Sequence, residues 1–258
     1  MEDLTLFKWL AVFGALAWLP PIFIAIKNWI IKPKLSIISD KQLEIGYTSY
    51  GPIINIDMAF STERKDTLIN KVLLKLVHEK NETHNFIWEW FEETLLEMSI
   101  PNTGTIPYKK NQKAFALKVL TSAITEKKIG FQIPDCKSKS LKLILDLNDI
   151  KQGITSQGQD VTLLKVQKEY IELLNLCHNS FIWKTGNYKI SISVYTYESK
   201  QIFNHYISFS LTDFDIKLLE KNISTLKDLI DNRFITQDVN FMEKWNWVYP
   251  TKHDIFEI

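Results

Sequence analysis

The chain has 258 residues, 45% apolar and 24% charged, and its 31 basic and 30 acidic side chains leave a formal charge of +1. That balance lacks the basic footprint of a nucleic-acid partner, so none is expected. Eight glycines, eight prolines and two cysteines exclude a low-complexity or disulfide-dense chain, and no repeat of about 20–50 residues is present.

Near the N-terminus the run from Trp9 to Ile26 holds no ionisable side chain and is closed by Lys8 and Lys27. Eighteen helical residues at about 1.5 Å each span about 27 Å, close to the bilayer's hydrocarbon thickness of about 30 Å. Trp9 and Trp29 suit the headgroup regions, where an amphipathic indole is favoured, and Trp18 belongs to the same anchor. The expectation is a single-pass anchor in residues 1–34, spanning about 9–31, with a kink at Pro20 and Pro21 or a helix that breaks there and restarts, and with the lipid bilayer as its partner. Lys27, Lys32, Lys34 and Lys41 after the span outnumber Lys8 before it, which points the bulk of the chain to the cytoplasmic face, with the extracytoplasmic side as the alternative. Cys136 and Cys177, far apart in sequence, are compatible with a reducing compartment.

Residues 35–258 form one domain, because no flexible linker divides them. Ile54, Ile56, Met58 and Phe60 alternate with polar neighbours, the pattern of a half-buried strand, after a turn at Gly51-Pro52. Leu68 to His78 and Asn85 to Phe91 read as a hairpin, with Phe86, Trp88 and Trp90 on one face. Further strands are expected at Lys113 to Thr121, Ile129 to Ile133 and Leu141 to Leu147. Tyr188 to Val194 and Phe203 to Leu211 make a second hairpin. The Ser99 to Gln112 and Asp135 to Ser140 stretches read as loops. Alternation of this kind favours an antiparallel sandwich over a parallel sheet.

Two helices are expected near 160–177 and 213–231. In the first, Leu163, Val166, Tyr170, Leu173 and Cys177 recur at helical spacing; in the second, Thr212 and Asp215 form a capping box before Leu219, Ile223, Leu226 and Ile230. The segment Trp183-Lys184-Thr185-Gly186-Asn187-Tyr188, running into Lys189 to Val194, resembles the closing strands of immunoglobulin-like sandwich modules. The resemblance implies architecture alone: a mainly β chain whose N-terminal transmembrane helix precedes an immunoglobulin-like sandwich with two added helices.

Chemistry is thinly marked. His78 and His84 flank a hairpin turn and read as solvent-facing, while His178, His205 and His253 share no ligand-like spacing, so no metal or cofactor is expected. Cys177 and His178 are adjacent and would diverge by about 100° on a helix. No Gly-x-Ser-x-Gly elbow or phosphate loop is present, so no catalytic residue is assigned. Trp245, Trp247 and Tyr249 lie two residues apart on one face of an extended tail. They read either as a clasp on the sandwich or as a strip that docks a protein partner. The leading expectation is a non-enzymatic interaction or scaffold module at the membrane. A ligand-binding sensor domain, or an enzyme with an unfamiliar site, is the alternative.

Overall fold

A computed structural model describes residues 17–30, 32–100, 104–197 and 201–255. Its first element, α1 (Leu19–Ile30), has 12 residues. Such a helix is about 18 Å long, and among the described residues no helix is long and apolar enough to cross a membrane. Residues 9–16 and 31 of the helix expected over 9–31 lie outside the described residues. Ala17 is helical, Trp18 is a turn and α1 starts at Leu19, so the helix breaks and restarts here, with Pro20 and Pro21 in the first turn of α1, where a missing N–H leaves no intrahelical bond unmade. Trp9 lies outside the described residues. Trp18, Leu19, Ile22, Phe23 and Ile26 are all exposed.

The rest is mainly β: one antiparallel, curled sheet with a few helices. Its strands are β1 (Lys34–Ser39), β2 (Glu44–Thr48), β3 (Gly51–Glu63), β4 (Thr67–His78), β5 (Thr83–Ile100), β6 (Gly104–Lys113), β7 (Leu117–Val119), β8 (Thr125–Gln132), β9 (Gly186–Thr196), β10 (Gln201–Leu211), β11 (Trp247–Val248) and β12 (His253–Ile255). The path runs β11-β2-β3-β8-β5-β4-β9-β10-β12, with β1 on β3, β6 on β5 and β7 on β4. Long strands change partners along their length. The first half of β3 pairs with β2 and its second half with β1, while β8 holds its other edge.

The curl turns one face inward and brings β1 close to β10. Ile54, Ile56, Met58 and Phe60 of β3 meet Val72, Leu74 and Leu76 of β4 and Ile190, Ile192 and Val194 of β9 in one core. Both expected hairpins form, with Leu74 opposite Phe86 and Ile190 opposite Ile207. At the entry to β9 the Tyr188 hydroxyl accepts the Lys184 N–H at 2.7 Å and donates to the Lys184 carbonyl at 2.8 Å.

Three helices follow α1: α2 (Pro134–Ser156), α3 (Lys168–Asn179) and α4 (Asp213–Asp231). The strand expected at Leu141 to Leu147 and the loop at Asp135 to Ser140 both belong to α2. Its buried residues, Ser140, Leu147 and Ile154, fall seven apart, a seam too narrow to mark a helix in an aliphatic-rich stretch. Ser99 to Gln112, expected as a loop, contains most of β6. The stretch Pro107 to Asn111 is exposed, so the strand shows no alternation. The helix expected over 160–177 is a 3₁₀ turn at Val161–Val166, a break at extended Gln167, and then α3. The Thr212–Asp215 capping box opens α4 as expected. Leu147, Tyr170, Leu173, Ile230 and Phe234 form a smaller core among the helices.

Segment 247–255 closes the sheet. β11 pairs with β2 at one end of the strand order and β12 with β10 at the other. Between them, the Leu43 N–H donates to the Pro250 carbonyl and the Lys252 N–H to the Lys41 carbonyl. One strap therefore pairs with part of both margins, Ile45 and Gly46 of β2 and Tyr206 to Ser208 of β10.

Candidate functional site

The outer face of β2, β3, β8 and β5 is roofed by α2, α3 and α4, and a cleft of about 720 Å³ lies between the two layers. Gly51 to Asn55 of β3 are buried on both faces for this reason. The register fixes the floor. Glu44, Asn55 and Gly130 stand side by side across three strands, and Gly46, Ile53 and Gln132 form the adjacent row.

The two glycines give the cleft its walls. Trp247 faces Gly46 across the β11–β2 ladder, and Trp90 faces Gly130 across β5–β8. A Cβ on Gly46 would lie 2.3 Å from the Trp247 ring, and one on Gly130 2.1 Å from Trp90. Each indole occupies the space a side chain would take, the device by which an aromatic covers a strand glycine. Trp245 lines the cleft beside them and donates through Nε1 to Glu243 Oε2 at 2.8 Å.

Polar groups form the floor. Asn55 Nδ2 donates to Glu44 Oε1 at 2.9 Å, and the Lys128 ammonium pairs with Glu44 Oε2. Burial pulls the Lys128 pKa down, but the Glu44 hydrogen bond and charge outweigh it, so the group stays charged with a pKa above its ordinary value. Lys137 pairs with Glu89 at the rim. Four carboxylates (Glu44, Glu89, Glu92, Glu243) and four bases (Lys113, Lys128, Lys137, Arg233) line the cleft, so its formal charge is balanced.

Asn55 and Gln132 are 3% and 4% exposed, and Asn55 Oδ1 and Gln132 Oε1 have no hydrogen-bond partner. A buried acceptor left unmade costs about 1–3 kcal/mol. Both residues line one cleft: Gln132 is diagonal to Asn55 across β3–β8, two residues beyond Gly130, the partner of Asn55.

Trp245 and Trp247 of the expected docking strip come together in this cleft, whereas Tyr249 lies outside it and is exposed. Val248 between them is buried, which makes the tail a clasp as well. Of the expected anchor residues, Trp18 is exposed just before α1, while Lys27 and Trp29 fall within it. His78, expected to face solvent, is buried, its ring centred 4.7 Å from that of Tyr188 and its Nε2 3.3 Å from the Thr185 carbonyl. Its backbone closes the turn, with its N–H on Glu82, and the side chain folds inward beneath β9. His84 is half-buried, and burial holds its pKa below the ordinary value. Among the described residues no three His, Cys, Asp or Glu side chains cluster to hold a metal. Cys177 lines the cleft, and burial pushes its thiol up to about 11, which keeps it protonated and poorly nucleophilic near neutral pH.

Sequence reasoning missed Trp90, Asn55, Gln132, Glu44 and Lys128. Strand alternation puts Trp90 on one face with Phe86 and Trp88, but a register shift between Trp88 and Trp90 turns Trp90 to the outer face. The available signal was the isolated glycines Gly46 and Gly130 inside strands, which mark close approach of another group. Comparison with family models, with curated proteins and with solved structures finds no match to this chain.

Proposed function

We propose that the chain is a non-enzymatic binding module whose recognition element is the tryptophan-walled cleft, taking a small, polar, uncharged ligand. The observation that carries this reading is the pair of buried, unpartnered carboxamide oxygens of Asn55 and Gln132 in a cleft of about 720 Å³. Such a volume falls within the usual range for small-molecule sites, and unpaired polar groups are retained where function needs them. Balanced charge around the cleft disfavours a strongly ionic ligand. Because Trp245 and Trp247 face a cavity, small-ligand binding accounts for them better than docking of a protein surface. The neutral thiol of Cys177 gives no support to covalent catalysis.

Attachment to a membrane remains part of the proposal. The exposed apolar side chains of α1 would be covered by lipid, and the bases that follow would favour the cytoplasmic side. An immunoglobulin-like description of the sheet is supported by the Tyr188–Lys184 hydrogen bonds, which have the form of a tyrosine corner.

The test uses Gln132→Met, which removes the unpaired amide at similar volume. In the ligand-free protein it should raise the melting temperature by a few degrees, because a strained polar group becomes apolar. The same variant should lose the thermal protection that cleft ligands give the wild type in a small-molecule screen. A variant that is destabilised, or one that keeps every ligand response, would rule the reading out.

A further inference from the structure

Resting on the cleft as a binding site, we infer that its ligand is a neutral carbohydrate of about disaccharide size, stacked on Trp90 and Trp247 and hydrogen-bonded through its hydroxyls to the floor. Three observations converge on that chemistry.

The walls come first. Gly46 and Gly130, on which the two indoles sit, are separated by two strand spacings, about 10 Å across the sheet. That is roughly the span of a disaccharide. Each indole is backed by sheet backbone, which fixes its plane before any ligand arrives. The negative face of an indole attracts the weakly positive C–H edges of a pyranose ring, and the contact buries the apolar side of the sugar.

The floor between the walls supplies the second observation. Its two unpartnered groups, Asn55 Oδ1 and Gln132 Oε1, are both acceptors. They need donors, and each has under 1 Å² of accessible surface, so a hydroxyl in the cleft reaches one when its carboxamide turns outward. Adjacent hydroxyls supply several donors in a row on one rigid ring. A phosphate or carboxylate ligand supplies none.

The third is charge. The Lys128 ammonium and Glu44 carboxylate already neutralise each other. A neighbouring hydroxyl can donate to such a carboxylate and accept from such an ammonium at once, which a simple cation or anion cannot. With four carboxylates and four bases around it, the cleft offers no net attraction to a cation or an anion.

The experiment is titration of the full chain, in a detergent without a sugar headgroup, with maltose, cellobiose, lactose and N,N′-diacetylchitobiose. Adenosine and a free amine (ethanolamine) serve as comparison ligands. Binding is read by tryptophan emission and by saturation-transfer NMR from protein to ligand. At least one disaccharide should saturate, with its ring C–H protons receiving the strongest transfer. Its affinity should fall about tenfold in Gln132→Met, which removes an acceptor but no wall, and further in Trp90→Leu. If Trp90→Leu fails to fold, Gln132→Met alone decides. Disaccharide binding unchanged in Gln132→Met would overturn the inference by placing the sugar elsewhere. Binding of adenosine or ethanolamine that Gln132→Met weakens, without any sugar binding, would overturn the sugar and leave the cleft as a binding site. If no probe shows a response that depends on Gln132, the sugar inference falls. The broader cleft reading is then decided by its own test: it falls if Gln132→Met is destabilised or keeps every ligand response in the screen.

Discussion

Trp247 occupies the space in front of Gly46: a Cβ there would meet its ring at 2.3 Å, while the Gly46 carbonyl accepts the Trp183 indole N–H at 3.0 Å from the core. One glycine thus sets the position of a cleft wall and anchors a core aromatic. Gly46→Ala should displace Trp247, costing about 1–3 kcal/mol, the usual penalty for overpacking. Gly130→Ala should do the same to Trp90. The two glycines lie two strands apart, so the losses should add within about 0.5 kcal/mol. Urea unfolding of the single and double variants checks this, and a neutral Gly46→Ala would show that the indole is free to move.

The strap carries an acid-sensitive contact. Asp254 Oδ1 lies 2.7 Å from Lys252 Nζ and 3.0 Å from His205 Nε2. The Lys252 hydrogen bond, followed by that of His205, holds the Asp254 carboxyl below its ordinary value. A depressed carboxylate stabilises the fold above its unfolded pKa of about 4, and that contribution is lost as pH falls through the folded value. Asp254→Asn should therefore be less stable than wild type at pH 7, with the difference shrinking below about pH 4. Denaturation at pH 7, 4 and 3 provides the measurement.

Cys177 should be slow to react. With its thiol pushed up to about 11, the thiolate fraction at pH 8 is roughly a hundredfold below that of an exposed cysteine. In a Cys136→Ser background, iodoacetamide should modify the native chain at least that much more slowly than the urea-unfolded chain. Equal rates would mean that the thiol is not buried as described.

Tyr188 gives the opposite limb of the pH profile. Burial pushes its hydroxyl up to about 12, although the Lys184 N–H bond pulls the other way. The folded state therefore keeps this proton longer than the unfolded state does. Its contribution is complete below about pH 10, the unfolded value, and is lost as pH rises toward the folded one. Tyr188→Phe should cost about 1–3 kcal/mol at pH 7 through the two Lys184 bonds. It should also flatten the decline in stability between pH 10 and 12. An unchanged slope in that window would assign the decline to other groups.

The strands that read clearly in the sequence are those with one wet face. Ile54 to Phe60 and Tyr188 to Val194 alternate because water covers one side of much of their length, and both lie where expected. The sequence could not show where that rule stops. Gly51 to Asn55 are buried on both faces because helices roof the outer one, and only the tertiary structure places them there. A single register shift moves Trp90 from core to cleft, and no residue between Phe86 and Trp90 announces it. Asn55 was legible as the polar half of an alternation, but not as a buried group, since the pattern is the same whether water or a helix lies above. Trp245 and Trp247 were legible as a paired feature; what they enclose was not.

The strap over residues 247–255 is expected to close late in folding. Its bridge from Gln42 to Thr251 joins positions roughly 200 residues apart, so closure carries the largest loop entropy of any contact described. The hairpins β4–β5 and β9–β10 are local and can form first. Trp247 rides on the strap, so the cleft gains that wall only when the ring of contacts is complete. A contact formed after the folding barrier leaves the folding rate unchanged and slows unfolding when it is reinforced. An occupant of the cleft should therefore lengthen the lifetime of the native chain without hastening its birth.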